Sequence, residues 1–260
     1  TTLNIKPDLA FVYEINIKKM LNFRNISSFS FPVIGLIQTL GKPNEITPFK
    51  ECLPLMNNSD LYLCPSEATK QTAINCGLRK SQIKIIQYGA CDCNSYSPIN
   101  NKNTLRKKLN IHPDKTVILS LSRITPSGKM DFTALIRQLP KLISKNKNIL
   151  LYIVGEVFDK NYVLELKQFI KQLSLENYIL WDHHPDHFNI QEYFQASDIF
   201  LSLSDFCGET FGLTIMEAML CGLPSIVSHY NGYKKHITHK ENGFYIPTIT
   251  GAINLDHEFY

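Results

Sequence analysis

The stretch SDFCGETFGLTIMEAMLCGLPS, residues 204–225, carries two glutamates eight positions apart and lies between two apolar segments. The segment before it, DIFLSL (198–203), has the length and composition of a buried strand. FGLTIMEAML (211–220) is apolar enough for a packed helix, and SIVS (225–228) follows as a second short strand. A strand, a helix and a strand in this order indicate a parallel sheet covered by helices.

The same alternation extends to both sides of this stretch. Further strands are predicted at VILSLS (117–122), ILLYIVG (149–155), YILW (178–181) and GFYIP (243–247), with helices at 131–144, 160–173 and 190–196. The pattern before residue 100 is looser, with strands at LAFVY (9–13), PVIGLI (32–37), DLYLC (60–64) and IKIIQ (83–87), and helices near 48–57 and 66–76. The polar segment 90–115 indicates a linker. We therefore predict an α/β protein of two Rossmann-like domains that face each other across a cleft.

The two predicted domains differ in completeness. Residues 99–260 supply a nearly whole alternating pattern, whereas residues 1–98 supply only about four strands and begin with Thr1. We therefore expect residues 1–98 to be a truncated domain and the chain to be a segment of a longer protein.

Composition excludes several classes of protein. A chain of 260 residues with 44% hydrophobic and 19% charged residues is typical of a globular protein. No apolar run approaches the ~18–20 residues of a membrane span. Seven cysteines without a C-x-x-C pair indicate reduced thiols in the cytoplasm. The net charge of +4 fits an anionic ligand, contact with a membrane surface, or ordinary solubility.

The 204–225 stretch also suggests a binding site. Ligands of open parallel sheets lie beyond the carboxyl ends of the strands, and the amino end of a helix there favours phosphate. Gly208 and Gly212 would let backbone approach the ligand closely, and the amides around Thr210–Leu213 would face it. Glu217, on the same helix side as Leu213 and Thr214, is placed to accept ribose hydroxyls, and Glu209 those of a sugar beyond the phosphates.

Two glutamates would repel a phosphate ligand unless cations lie nearby. The loop SRITPSGKMD (122–131) follows the predicted strand at 117–122 and supplies Arg123 and Lys129. Arginine offers a two-pronged fork to phosphate oxygens and lysine a point charge. Together with Glu209 and Glu217, these cations form a coherent set for a nucleotide sugar.

Three segments carry a resemblance to a known family. Residues 208–248, with their E-x7-E spacing and the continuation EAMLCGLP, resemble the nucleotide-binding signature of the GT-B retaining glycosyltransferases of family 4. SRITPSGK (122–129) resembles that family's donor-diphosphate loop. Residues 60–98 are similar to the end of its acceptor domain. The resemblance implies a partial acceptor-side domain over 1–98 and a donor-binding domain over 99–260.

The resemblance also implies an activity, namely transfer of a sugar from a nucleotide-diphosphate donor with retention at the anomeric carbon. It implies catalytic roles for Arg123, Lys129 and Glu209, no cofactor and no obligatory metal. The base would lie against WDHHPD (181–186). The partners implied are a nucleotide sugar and a carbohydrate, lipid or small-molecule acceptor, without nucleic acid, in the cytoplasm and with membrane association as an open alternative. The implied donor-binding residues are Gly208, Thr210, Phe211, Gly212, Leu213, Thr214 and Glu217.

Two departures from the family pattern concern the acceptor side. The chain begins too late to contain the family's glycine-rich acceptor loop, and Gln38 stands where a histidine is frequent. Glutamine can orient a hydroxyl but cannot accept its proton at neutral pH. An inactive nucleotide-sugar-binding module or pseudoenzyme is therefore the main alternative.

Other functions fit the sequence less well. A nucleotide-sugar epimerase would share the scaffold but not the E-x7-E setting. His183, His184 and His187 lack a cysteine or further histidine at ligand spacing, so a metal site is not expected. The sequence contains neither a P-loop nor G-x-G-x-x-G, which argues against ATPase and dehydrogenase functions.

Overall fold

The computed structural model of the chain describes residues 7–27, 29–89, 94–126, 128–185, 189–204, 206 and 208–248. Contacts within the chain divide the described residues into two units. The first unit contains residues up to Tyr88 and the short segment 208–211, and the second contains the rest. The predicted roles of 1–98 as an acceptor side and 99–260 as a donor-binding domain stay predictions.

The described part of the first unit has a parallel sheet in the order β1-β2-β3-β4. Its strands are β1 (Ala10–Val12), β2 (Val33–Leu36), β3 (Leu61–Cys64) and β4 (Ile83–Ile85). Helices α1 (Lys18–Ile26), α2 (Pro43–Cys52) and α3 (Glu67–Asn75) connect them. The four predicted strands are confirmed. Phe11 in β1 and the flanking residues Leu9 and Tyr13 are all exposed.

Two helices of the first unit differ from the sequence prediction. Helix α2 begins at Pro43 rather than near residue 48. Its start is fixed locally, because the Glu45 carboxylate accepts hydrogen bonds from the amides of Gly41 at 2.8 Å and Lys42 at 3.1 Å. Helix α1 was not predicted, since its sequence KKMLNFRNI has weak amphipathic character.

A buried ion pair anchors α1. The Arg24 guanidinium contacts the Asp60 carboxylate and donates to the Phe31 carbonyl at 3.3 Å. The Asp60 carboxylate also accepts hydrogen bonds from the backbone amides of Val33 at 2.8 Å and Asn57 at 2.7 Å. Arg24 is 6% and Asp60 1% exposed. Buried polar groups such as these form hydrogen bonds within the protein in place of hydrogen bonds to water. Tertiary bonds of this kind, rather than helix propensity, hold α1.

The second unit has a parallel sheet in the order β10-β9-β8-β5-β6-β7. The strands are β5 (Thr116–Leu121), β6 (Ile149–Val154), β7 (Ile179–Asp182), β8 (Ile199–Ser202), β9 (Ser225–His229) and β10 (Gly243–Pro247). The helices are α4 (Asn103–Lys108), α5 (Phe132–Ile143), α6 (Lys160–Gln172), α7 (Ile190–Ala196) and α8 (Leu213–Leu220). All six strands were predicted. The strand order reverses between β5 and β8, so the loops after these two strands start side by side at the switch point.

Both faces of this sheet are buried. Strand β6 is buried at all six positions, which explains its continuous apolar sequence. Its residues divide between two cores, with Tyr152 and Val154 in one and Leu151 and Ile153 in the other. The first core includes residues of α7 and α8, and the second includes residues of α5 and α6. The predicted layering of helices on a parallel sheet is therefore confirmed for this unit.

Helix α4 lies where the sequence indicated a linker. Arg106 donates to the Asp198 carboxylate at 2.7 Å and to the carbonyl oxygens of Ala196 at 3.0 Å and Pro113 at 2.7 Å. Lys102 adds a second ion pair to Asp198 at 2.9 Å. The sequence does not reveal this helix, because Ala196 and Asp198 lie 90 and 92 residues from Arg106 along the chain.

Candidate functional site

The loops after β5 and β8 are hydrogen-bonded to each other. The Leu203 amide donates to the Met130 sulfur at 3.2 Å. The Ser204 hydroxyl donates to the Lys129 carbonyl oxygen at 3.2 Å. These bonds join the loop that carries Arg123 and Lys129 to the first residues of the stretch that leads to Glu209. Adjacent strand ends at a topological switch point are the usual location of ligands in this kind of sheet.

Arg123 is exposed and lies over an aromatic ring. Its guanidinium carbon is 5.4 Å from the centre of the Phe158 ring, which belongs to the loop after β6. The two loops approach closely because residue 155 is glycine, where a Cβ atom would lie 1.8 Å from the Ser122 carbonyl oxygen. The close approach keeps Arg123 near the carboxyl end of the sheet.

Helix α8 begins two residues later than predicted. Its first residue is Leu213, and Gly212 precedes it with a φ of +90°, a value that L-residues with side chains rarely adopt. A Cβ at Gly212 would also lie 2.7 Å from the Tyr233 ring. The amides of Thr210 and Phe211 therefore belong to the loop before the helix, not to its first turn. Thr214 and Glu217 lie on α8 and are half-buried.

Gly208, Glu209, Thr210 and Phe211 group with the first unit. All four are buried. The Thr210 hydroxyl donates to the Gln38 carbonyl oxygen at 2.6 Å, and the Phe211 ring meets Tyr88 edge-on at 5.2 Å between centroids. The structure thus brings together two predicted site residues, Thr210 and Gln38. The Gln38 side chain itself is exposed.

A cavity of about 730 Å³ opens beside α6 in the second unit. Its lining includes Phe158, Lys160, Val163, Lys167 and His183. Both ring nitrogens of His183 are buried and have no hydrogen-bond partner in the part of the chain that the structure describes. Burial, and then the charges of Lys167 and His184, hold the pKa of His183 below its usual value, so its imidazole is neutral at pH 7. A buried imidazole without partners is costly, which makes this cavity wall a candidate for ligand contact.

The predicted base-contact loop continues from His183. His184 is exposed and Pro185 is buried, whereas Asp186 and His187 lie outside the described residues. Among the residues that the structure describes, no group of three His, Cys, Asp or Glu side chains could hold a metal ion. Within the same residues, no helix is long and apolar enough to cross a membrane.

Three residues that organise this region are not among the predicted site residues. Ser204 bonds to the loop of Lys129, Phe158 stacks on Arg123, and the Tyr233 hydroxyl hydrogen-bonds to Ser202 at 2.9 Å. Each acts through a contact with a residue at least 31 positions away in sequence. Spacing along the chain carries no signal for contacts of this kind.

Comparison with known proteins places this site in a family. Residues 101–250, more than half of the chain, match the glycosyl transferases group 1 family. The chain belongs to the glycosyl transferases group 1 family. The match includes both loops described above and helix α8. Membership in a glycosyltransferase family confirms the resemblance drawn from residues 122–129 and 208–248.

Two curated relatives illustrate the range of this glycosyltransferase family. The chain is 25% identical to the alpha-monoglucosyldiacylglycerol synthase of Streptococcus pneumoniae over 185 residues, which are 70% of this chain and 40% of that protein. It is 27% identical to the N-acetyl-alpha-D-glucosaminyl L-malate synthase of Bacillus anthracis over 140 residues, which are 54% and 34% of the two chains. The chain therefore spans well under half of these relatives.

A solved structure resembles most of the chain. The chain is 25% identical to HepE of Anabaena, whose crystal structure contains UDP, with a TM-score of 0.78 over 92% of this chain and 64% of HepE. HepE was also crystallised with UDP-glucose. This similarity confirms the predicted GT-B class of two Rossmann-like α/β units.

Proposed function

We propose that this protein transfers a sugar from a nucleotide-diphosphate donor to a hydroxyl-bearing acceptor, with retention at the anomeric carbon. One observation carries the proposal: the Lys129 loop and the stretch leading to Glu209 are hydrogen-bonded at the switch point of the six-stranded sheet. The crystal structures of HepE contain UDP and UDP-glucose, and the proposal is that this chain binds ligands of the same class.

Arg123 and Lys129 are proposed to hold the diphosphate. Departure of a nucleoside diphosphate builds negative charge on the leaving oxygen, and fixed cations stabilise that charge in the transition state. Arg123 is exposed and stacked on Phe158, so its donors are available to a ligand in a restricted orientation. The amides of Gly212 and Leu213 and the hydroxyl of Thr214, at the start of α8, would hold further phosphate oxygens.

The two glutamates are proposed to bind the two sugars of the donor. Glu217, half-buried on α8, would accept the ribose hydroxyls. Glu209, which is 9% exposed, would accept hydroxyls of the transferred sugar. Gly208, Thr210 and Phe211 would shape the backbone around that sugar. We propose no cofactor and no obligatory metal, because Arg123 and Lys129 supply the positive charge that the leaving group requires.

The nucleoside end of the donor is proposed to occupy the cavity beside α6. Phe158 lines this cavity and also stacks on Arg123, so the cavity adjoins one of the two proposed diphosphate cations. Neutral His183 has one donor and one acceptor nitrogen, which suits the polar edge of a base.

The acceptor is proposed to be a glycan, a lipid or a small molecule, bound in the cytoplasm or at its membrane surface. Gln38, on the proposed acceptor side, would orient the acceptor hydroxyl without accepting its proton. This property also favours a second candidate function, a catalytically inactive nucleotide-sugar-binding protein. The two candidates share the donor site and differ only in turnover.

A two-stage experiment tests these proposals. Purified chain is first titrated with UDP-, GDP- and ADP-sugars while its melting temperature is followed, since a ligand at ~100 times its dissociation constant adds about 2.7 kcal/mol. The full-length gene product is then incubated with the best donor and candidate acceptors, and released nucleotide is measured. Binding with release that Lys129→Ala abolishes supports the transferase, and binding without release supports the inactive module. No binding to any nucleotide sugar would contradict both.

A further inference from the structure

Ser204, just after β8, connects the loop after β5 with the carboxyl end of β9. It follows β8 by two residues, and its hydroxyl donates to the Lys129 carbonyl in the loop after β5 at 3.2 Å. The Ser204 carbonyl oxygen accepts a hydrogen bond from the hydroxyl of Ser228, which lies near the end of β9. Ser204 and Ser228 are each 2% exposed, so water does not compete for these bonds.

The same hydroxyl also acts within its own loop. The Phe206 amide donates to the Ser204 oxygen at 3.4 Å, on the path from β8 to Glu209. One hydroxyl group therefore restrains the backbone on both sides of the switch point: Lys129 on the β5 side and Phe206 on the β8 side. The adjacent Leu203 amide, bonded to the Met130 sulfur at 3.2 Å, adds a second link between the same two loops.

We propose that Ser204 is a positioning residue for diphosphate binding, acting through the backbone of Lys129. The inference rests on the proposed function, because it concerns the place of the Lys129 charge relative to a donor diphosphate. Electrostatic stabilisation by a lysine depends on the distance between its ammonium group and the phosphate oxygens. Holding the Lys129 carbonyl fixes the backbone from which that side chain extends and lowers the cost of ordering the loop when ligand binds.

A buried serine elsewhere in the sheet provides a matched control. Ser225 is fully buried at the opposite, amino end of β9, and its hydroxyl contacts the Leu223 carbonyl oxygen at 3.5 Å. Ser225→Ala and Ser204→Ala each remove one buried hydroxyl group from the second unit. Only Ser204→Ala removes a contact with the Lys129 loop.

The experiment measures UDP and uridine binding by calorimetry for the 260-residue chain and for Ser204→Ala, Ser225→Ala, Lys129→Ala and the double variant Ser204→Ala/Lys129→Ala. GDP with guanosine and ADP with adenosine are used in the same way if UDP does not bind. Loss of one hydrogen bond predicts about three- to tenfold weaker UDP binding by Ser204→Ala. Uridine binding should change by less than about twofold, because the uridine itself carries no phosphate. In the double variant the Ser204 effect should vanish, since its target charge is gone.

The outcomes separate this inference from the proposed function. If the unaltered chain binds none of the three nucleoside diphosphates, the proposed function falls and the inference with it. If it binds one, but Ser204→Ala matches Ser225→Ala or weakens nucleoside and diphosphate alike, only the inference is overturned. Additive losses in the double variant overturn it as well. If Ser204→Ala does not fold, Ser228→Ala, which loosens Ser204 from β9, is tested against the same criteria.

Discussion

The guanidinium carbon of Arg123 lies 5.4 Å from the centre of the Phe158 ring, joining the loop after β5 to the loop after β6. Phe158 is 59% exposed, and a cation over an exposed ring gains roughly 0.5–1 kcal/mol. The contact limits the rotamers of a long side chain before any ligand arrives. Arg123 therefore has a restricted orientation at the end of the sheet where we propose that the diphosphate binds.

Replacing Arg123 or Lys129 by alanine should weaken UDP binding by roughly 1.5–3 kcal/mol, the range of hydrogen bonds to charged groups. Uridine binding should change far less, because uridine has no phosphate. Calorimetric titration with both ligands checks this. Lys115→Ala is the control, since Lys115 also stacks on a ring, that of Tyr178 at 5.3 Å, but precedes the amino end of β5. Equal losses for UDP and uridine would contradict the roles of Arg123 and Lys129.

Replacing Glu217 and replacing Glu209 should weaken the binding of different ligands. Glu217→Ala should weaken both uridine and UDP, because it removes the proposed acceptor of the ribose hydroxyls. Glu209→Ala should weaken only UDP-sugar binding and leave UDP unchanged within about 0.5 kcal/mol, the usual scatter for a site without a direct contact. Competition calorimetry of UDP-glucose against UDP makes the comparison. If both variants lost UDP affinity alike, the division of roles would be wrong.

Loss of the buried Arg24–Asp60 pair should strongly destabilise the first unit. Asp60→Ala leaves the Arg24 guanidinium and the amides of Val33 and Asn57 without their acceptor, which predicts a loss of about 3–5 kcal/mol. Urea denaturation followed by circular dichroism measures the change.

The exposed pair Lys18–Glu51, at 2.9 Å, is the matched control for that measurement. Its side chains are 43% and 50% exposed, so Glu51→Ala should cost about 0–1 kcal/mol. A similar loss for Asp60→Ala and Glu51→Ala would show that burial does not set the strength of the Arg24–Asp60 contact.

Acid should destabilise the second unit partly through Asp198. Burial raises the pKa of this carboxyl, but the Val117 amide at 2.8 Å, Lys102 and Arg106 outweigh burial and hold it below its ordinary value of 3.8. The stabilisation is therefore fully present above the unfolded-state pKa and is lost as pH falls through the lower folded-state pKa.

The Asp198→Asn variant tests this linkage. It should be less stable than the unaltered chain at pH 7, and the difference should shrink as pH is lowered from 5 through about 4 and below, the region of the ordinary carboxyl pKa. Urea denaturation at each pH measures the difference in stability between the variant and the unaltered chain. Asp114→Asn is the control, because Asp114 is an exposed loop residue. A difference that stayed constant with pH would exclude the ionised carboxylate as its source.

Much of the second unit could be predicted from the sequence because each strand carries its own signal. Strand β6 is buried on both faces, so its six residues are all apolar. The strand can therefore be predicted without knowing which strands lie beside it. The spacing of Glu209 and Glu217 and the loop of Arg123 and Lys129 were also visible in the sequence. The start of α8 was placed two residues early, because the φ of +90° at Gly212 depends on its surroundings.

The sequence by itself determined two α/β units, the order of their strands and the candidate residues of one site, since short apolar runs and amphipathic segments are local patterns. Only the tertiary structure decided that β5 and β8 are neighbours and that Ser204 contacts the loop of Lys129. It alone decided that α4 is a helix, through the pairing of Arg106 with Asp198 at 2.7 Å. The Ser204–Lys129 and Arg106–Asp198 contacts join residues 75 and 92 positions apart. Such contacts form because the whole unit buries its apolar surface and satisfies its hydrogen bonds together. This cooperative process leaves no periodic pattern in the sequence.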